Sequence, residues 1–216
     1  MFDASLRRTL DVPLRRVAMA LDRPWITPDR LTVAGLVLGL CSAAAAALQL
    51  WGLALLLWLL SRICDGLDGS LARLRRARAA DRPGAADGAA PSEAGGFLDI
   101  VADFTVYGFT VFGVGLGATV GFDAPWWPFV LVLVAYYVNG AAFLAFSSIA
   151  ERTGRQIDDG RSLSFLGRIA EGAETIVVHS LWLIVPFLAW QIAVVWAVFV
   201  GASAAQRIWA GYRALR

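Results

Sequence analysis

Six apolar stretches, each close to the length of a bilayer-crossing helix, constrain this chain more than any other feature. They cover about 31–50, 53–74, 95–120, 126–149, 169–188 and 191–212, and a hydrocarbon core asks for ~20 helical residues per crossing. A spanning segment must satisfy its backbone polar groups internally, which leaves helices or a closed barrel. No period-two alternation of a barrel strand runs through these stretches, so the spacing predicts helices. With 58% hydrophobic residues and a mean hydropathy of +0.64, the composition excludes an ordinary soluble domain. The expected fold is an all-α integral membrane protein with six transmembrane helices in one domain, 1–216.

The polar remainder sets the orientation. All 19 basic residues are arginines. Arg7 to Arg30 precede the first stretch, Arg73 to Arg82 lie between the second and third, Arg152 to Arg168 between the fourth and fifth, and Arg207 to Arg216 near the end, while the other three connections have none. By the positive-inside rule both termini lie in the cytoplasm, in an inner or plasma membrane, and Trp51, Trp126, Trp127 and Trp190 mark the opposite interface. Residues 1–30 read as an interfacial segment: Leu6, Leu10, Leu14, Val17 and Leu21 repeat at helical spacing, with Arg7, Arg8, Arg15 and Arg16 elsewhere on the wheel, predicting an amphipathic helix. Charged and proline-containing residues precede the first stretch and a second span follows at once, so a removable leader is not expected. Residues 75–94 are rich in Ala, Arg, Asp, Gly and Pro and read as a helix extension fraying into a mobile cytoplasmic loop. Cys41 and Cys64 have no paired spacing and read as reduced thiols.

Ionisable side chains at membrane depth are costly and are usually kept for function. In "RICDGLDGSLARL", Asp65, Asp68, Gly69, Ala72 and Arg73 share one helical face, and in "GGFLDIVADFTVYG" Gly95, Asp99 and Asp103 follow at steps of four. Both faces sit at the same membrane depth and are expected to meet. Four converging carboxylates repel one another and are expensive to desolvate unless cations join them. Oxygen donors favour two Mg²⁺ or Mn²⁺ ions over zinc. Such a pair can neutralise a diphosphate and stabilise a leaving phosphate. The residues by themselves therefore point to metal-dependent phosphoryl chemistry on a membrane substrate.

"DGLDGSLAR" and "GGFLDIVAD" together resemble the signature of the CDP-alcohol phosphotransferases, DxxDGxxAR followed by GxxxDxxxD. Asp65, Asp68, Gly69, Ala72, Arg73, Gly95, Asp99 and Asp103 fill its positions. "TPDRLT", with Pro28, Asp29 and Thr32, looks like the TPNxLT element that precedes the first span in many members. The resemblance implies transfer of a phosphatidyl group from a CDP-linked lipid, typically CDP-diacylglycerol, to an alcohol, with release of CMP. It further implies metal ligation by Asp65, Asp68 and Asp99, a second-metal and general-base role for Asp103, cytidine contact at Gly69 and Ala72, and donor-phosphate contact by Arg73. A homodimer and membrane lipids are the implied partners, and nucleic acid is not. Two departures stand out. The segment from Leu74 to Ala94 is longer than the pattern's usual spacer, and Asp29 replaces the common asparagine.

Arg155, Arg161, Glu171 and Glu174 are candidates for an acceptor pocket. Arginines there suit glycerol 3-phosphate, with inositol phosphate, serine or choline as other acceptors. His179 reads as a packed core histidine, Tyr136, Tyr137 and Asn139 as interhelical contacts, and Asp81, Asp87, Glu93, Asp158 and Asp159 as solvated charges. The rival from another class is a divalent-cation transporter that uses the aspartates for permeation. It calls for broken helices or a carboxylate string across the membrane, whereas the cluster stays at one side.

Overall fold

The computed structural model describes residues 16–80, 92–153 and 172–216. Among these every regular element is helical. The elements are α1 (Pro28–Ala47), α2 (Trp51–Ala80), α3 (Glu93–Phe122), α4 (Trp127–Arg152), α5 (Gly172–Ile184) and α6 (Ala189–Leu215), with a 3-10 turn at Pro186–Leu188 before α6. Residues 16–21 are also helical. Most of the expected N-terminal amphipathic helix, and the loop residues from 81 to 91, lie outside the described residues.

Four helical segments are long and apolar enough to cross a membrane: Pro28–Ala47, Glu93–Phe122, Trp127–Arg152 and Pro186–Leu215. The second predicted span, α2, has the length, but Arg62, Asp65, Asp68 and the arginines from 73 to 78 make it too charged by composition. The fifth, α5, has 13 residues as described.

The chain divides into two compact units, Met1–Gly113 and Val114–Arg216. In the first, α1 and α2 form an antiparallel hairpin. α1 starts on Thr27, whose hydroxyl accepts the Arg30 amide, with Pro28 in the first turn, where a missing N–H costs nothing. It ends with Gln49 at φ 60°: the Gln49 amide donates to Ala46 and the Leu50 amide to Ala45, a left-handed cap that turns the chain straight into α2. Along the hairpin the Ser42 hydroxyl donates to the Ala54 carbonyl (2.7 Å) and the Ser61 hydroxyl to the Gly35 carbonyl (2.7 Å).

Small residues let α3 lie parallel against α1. A Cβ on Gly39 would fall 2.6 Å from Val106, and one on Gly113 would fall 2.2 Å from the Ala43 carbonyl oxygen. Close backbone approach of this kind is what glycine supplies between helices in lipid.

α2 continues as helix to Ala80, the extension expected beyond the span end at 74. Its extension is anchored: Arg75 donates to Asp22 (2.9 Å) and to the carbonyls of Arg23 and Ile26, and Arg78 also pairs with Asp22. These contacts strap the residues before α1 to the polar end of α2.

In the second unit α4 runs parallel to α6, with the Trp196 indole donating to the Tyr136 hydroxyl (2.6 Å) and Arg207 over the Phe143 ring. α5 packs on α4 through His179 and Tyr136 (2.9 Å) and through Trp182 against Phe129. His179 is fully buried and hydrogen-bonded, as expected of a core histidine. Tyr137, by contrast, is exposed rather than an interhelical contact within this chain. Much of the remaining helix surface is apolar: Leu56, Phe109, Phe112, Val134 and Val198 face outward, as suits a surface solvated by lipid.

Candidate active site

The site lies in the first unit, where α1 and α3 begin and α2 turns from apolar to charged. α2 and α3 are antiparallel neighbours, because Arg62 reaches Asp103 (2.7 Å) and Trp58 stacks obliquely on Tyr107 (ring centroids 6.2 Å). This pairing brings Asp65 and Asp68 to the level of Asp99 and Asp103. The carboxylates feel one another's charge: Asp65 that of Asp103, Asp68 and Asp99, and Asp68 that of Asp99 and Asp103. The two predicted acidic faces do meet.

Each carboxylate is held differently. Asp68 is buried and accepts a 2.6 Å hydrogen bond from the Thr32 hydroxyl of α1. The same hydroxyl lies 3.2 Å from the Pro28 carbonyl, so "TPDRLT" and the first acidic motif are joined directly. Asp29 lies beside Gly95: a Cβ there would be 3.3 Å from its Oδ1. Gly95 lies in the first turn of α3, its amide donating to the hydroxyl of Ser92 just before the helix (3.1 Å), a helix cap of ordinary chemistry. Asp65 and Asp103, each about one third exposed, flank one guanidinium, 3.8 Å and 2.7 Å from Arg62 Nη1.

Arg62 is the residue that sequence reasoning missed. It is 8% exposed, with its guanidinium carbon 5.1 Å from the Trp58 ring centre and 5.2 Å from that of Tyr107, and Nη2 donates to Ser61 (3.0 Å). The signal was available: a charged side chain inside an apolar run, three residues before Asp65, is unusual at membrane depth.

Arg73 is exposed and lies along its own helix, donating to Ser70 (3.1 Å), while Gly69 and Ala72 are partly exposed beside it. A Cβ on Gly69 would come 3.3 Å from Arg73 Nη1. These three therefore present a shallow face with an exposed guanidinium along it. Glu174 is in the second unit, with its Oε2 buried and without a hydrogen-bond partner. Arg155, Arg161 and Glu171 lie outside the described residues.

Among the described residues, no three carboxylate, thiol or imidazole side chains are drawn together closely enough to hold a metal ion as they stand. The donor chemistry nevertheless fits a hard divalent cation. One buried guanidinium pairs with two of the four carboxylates, leaving excess negative charge, and all the donors are oxygen.

Fold and site together define a class: a helical membrane protein that gathers carboxylates at the polar end of paired helices. The chain belongs to the CDP-alcohol phosphatidyltransferase family, whose sequence profile matches residues 25–203. It is accordingly an enzyme, a transferase of substituted phosphate groups, and that decides against the transporter expectation. It is 34% identical over its whole length to the inner membrane protein YnjF of Escherichia coli, covering 98% of that protein, and is itself an integral membrane protein. It is 31% identical over 136 residues to the archaetidylinositol phosphate synthase of Pyrococcus horikoshii, covering 63% of this chain and 64% of that one. The fold is shared with the phosphatidylinositol phosphate synthase of Mycobacterium tuberculosis. Its crystal structure with manganese and citrate superposes at a TM-score of 0.67 with 18% identity over 92% of this chain and 88% of that one. Its form with CDP-DAG bound gives 0.60 with 19% identity over 94% and 91%.

Proposed function

We propose that this chain transfers the phosphatidyl group of CDP-diacylglycerol to a small alcohol and releases CMP. The observation that carries this is the meeting of the two acidic faces around Thr32, Asp68, Arg62, Asp65 and Asp103. In this reading the two units act as one domain of six spans, in homodimers, with the site and both termini on the cytoplasmic side. The family profile running through both units, the arginine distribution and the family resemblance support these assignments in turn.

Asp65, Asp68, Asp99 and Asp103 would hold two Mg²⁺ or Mn²⁺ ions. Such ions neutralise the donor diphosphate and polarise it toward displacement. The chain's own groups do the rest. Gly69 and Ala72 carry no bulk, so the cytidine can lie against α2, and the exposed Arg73 would contact the donor phosphates, which a guanidinium matches in shape and charge. Pro28, Asp29 and Thr32 border the nucleotide from α1, with Gly95 leaving room beside Asp29. The acceptor oxygen forms a bond to the phosphorus of the diacylglycerol phosphate, the bond from that phosphorus to the CMP oxygen breaks, and the hydroxyl proton passes to the Asp103 carboxylate.

Arg155 and Arg161, with Glu171 and Glu174, are proposed to line the acceptor pocket, which suits an alcohol bearing a phosphate such as glycerol 3-phosphate. Inositol phosphate is the second reading, favoured because two similar proteins are named as synthases of inositol phosphate lipids. The test is purified protein with labelled CDP-diacylglycerol, Mn²⁺ or Mg²⁺, and a panel of alcohols, with CMP and the new lipid both measured. One acceptor should give stoichiometric CMP and lipid. No CMP with any acceptor would count against the reading.

A further inference from the structure

We infer that Arg62 is a positioning residue that competes with the divalent ions for Asp103 and Asp65. The inference rests on the metal site proposed above. Arg62 Nη1 lies between carboxylates from two helices, 2.7 Å from Asp103 Oδ1 and 3.8 Å from Asp65 Oδ1. Those are oxygens that an ion would need.

The guanidinium is also held from behind. Trp58 and Tyr107 face it with their rings at 5.1 and 5.2 Å, where the ring faces attract a cation. Ser61 accepts from Nη2 and is itself fixed to the Gly35 carbonyl. Only Nε is left buried without a partner. The slot thus keeps a permanent positive charge beside the carboxylates, because arginine does not lose its proton in a protein. Two consequences follow. Without ions, Arg62 offsets part of the repulsion between Asp65 and Asp103 and fixes where they point. When an ion arrives, it must take Asp103 from Nη1 and bear the repulsion of a nearby cation, so Arg62 weakens ion affinity.

The test uses the full chain in detergent, comparing wild type with Arg62→Met and Arg62→Lys. Mn²⁺ binding is read from the electron paramagnetic resonance of the free ion, and Tm is recorded with and without Mn²⁺. Arg62→Met should bind Mn²⁺ about tenfold more tightly, since a like charge is removed. Its Tm should fall without metal and recover at saturating Mn²⁺. Arg62→Lys, which keeps the charge but cannot span both carboxylates, should be intermediate, and it carries the test if the methionine variant does not fold. If wild type binds Mn²⁺ while the folded variants bind it equally or more weakly, this inference alone is overturned. If wild type takes up no Mn²⁺, the metal reading falls and the inference with it.

Discussion

Thr32 joins two helices with a single hydroxyl, and its contact with Asp68 is the shortest link in the site at 2.6 Å. A buried carboxylate that loses a hydroxyl donor loses about 1.5–3 kcal/mol, the usual range for a hydrogen bond to a charged group. Thr32→Val keeps the shape and removes the donor. It should lower Tm and cut the CMP release rate by about tenfold, measured side by side on the folded variant. The four aspartates were legible in the sequence because steps of three and four place them on single helical faces. Thr32 was legible only by resemblance, since nothing in its neighbours marks a partner 36 residues away. Arg62 was not singled out, because its apolar run continues through it and Asp103 lies 41 residues on. Pairings of that kind arise from helix packing, which periodicity does not encode.

At the scale of elements, the approach of α1 and α3 rests on glycine. Gly113 leaves no room for a methyl group, since its Cβ would lie 2.2 Å from a backbone oxygen that cannot rotate away. Gly113→Ala should therefore force the helices apart and destabilise the protein by about 1–3 kcal/mol, the usual cost of overpacking. Thermal unfolding in detergent checks this, with Gly52→Ala, which meets nothing within 4 Å, as the neutral comparison. Helix existence was plain from apolar run length, but helix ends were less so. The extension of α2 was expected, but how far it runs was not: Arg75 and Arg78 are pinned to Asp22 and the helix reaches Ala80, while α1 stops where Gln49 adopts a left-handed conformation. The first depends on a tertiary contact and the second on a residue with no turn signature. The break between α5 and α6 falls at Pro186, inside the predicted fifth span rather than after its end at 188.

At the scale of the whole molecule, the apolar surface of the described helices and the grouping of most arginines in alternate connections lead to a prediction of topology. The C-terminal turn carries Arg213 and Arg216, so a fluorescent protein fused there should fold and fluoresce in the cytoplasm, whereas a C-terminal alkaline phosphatase should stay inactive. The reverse pattern would invert the topology and move the carboxylates to the other face. Chemistry and fold were readable from this one chain because the signature residues sit on long, uninterrupted helices. The acceptor was not, because the segment proposed to recognise it, with Arg155 and Arg161, is polar and has no periodicity to place it. The central claim is that four carboxylates from α2 and α3 act together on one nucleotide-linked lipid. The most direct measurement is CMP release from CDP-diacylglycerol by the Asp65→Asn, Asp68→Asn, Asp99→Asn and Asp103→Asn variants, beside Asp123→Asn at the far end of α3. Each of the four should lose roughly 100-fold or more of the rate while Asp123→Asn keeps it. A folded variant at any of the four that releases CMP at the wild-type rate would contradict the account.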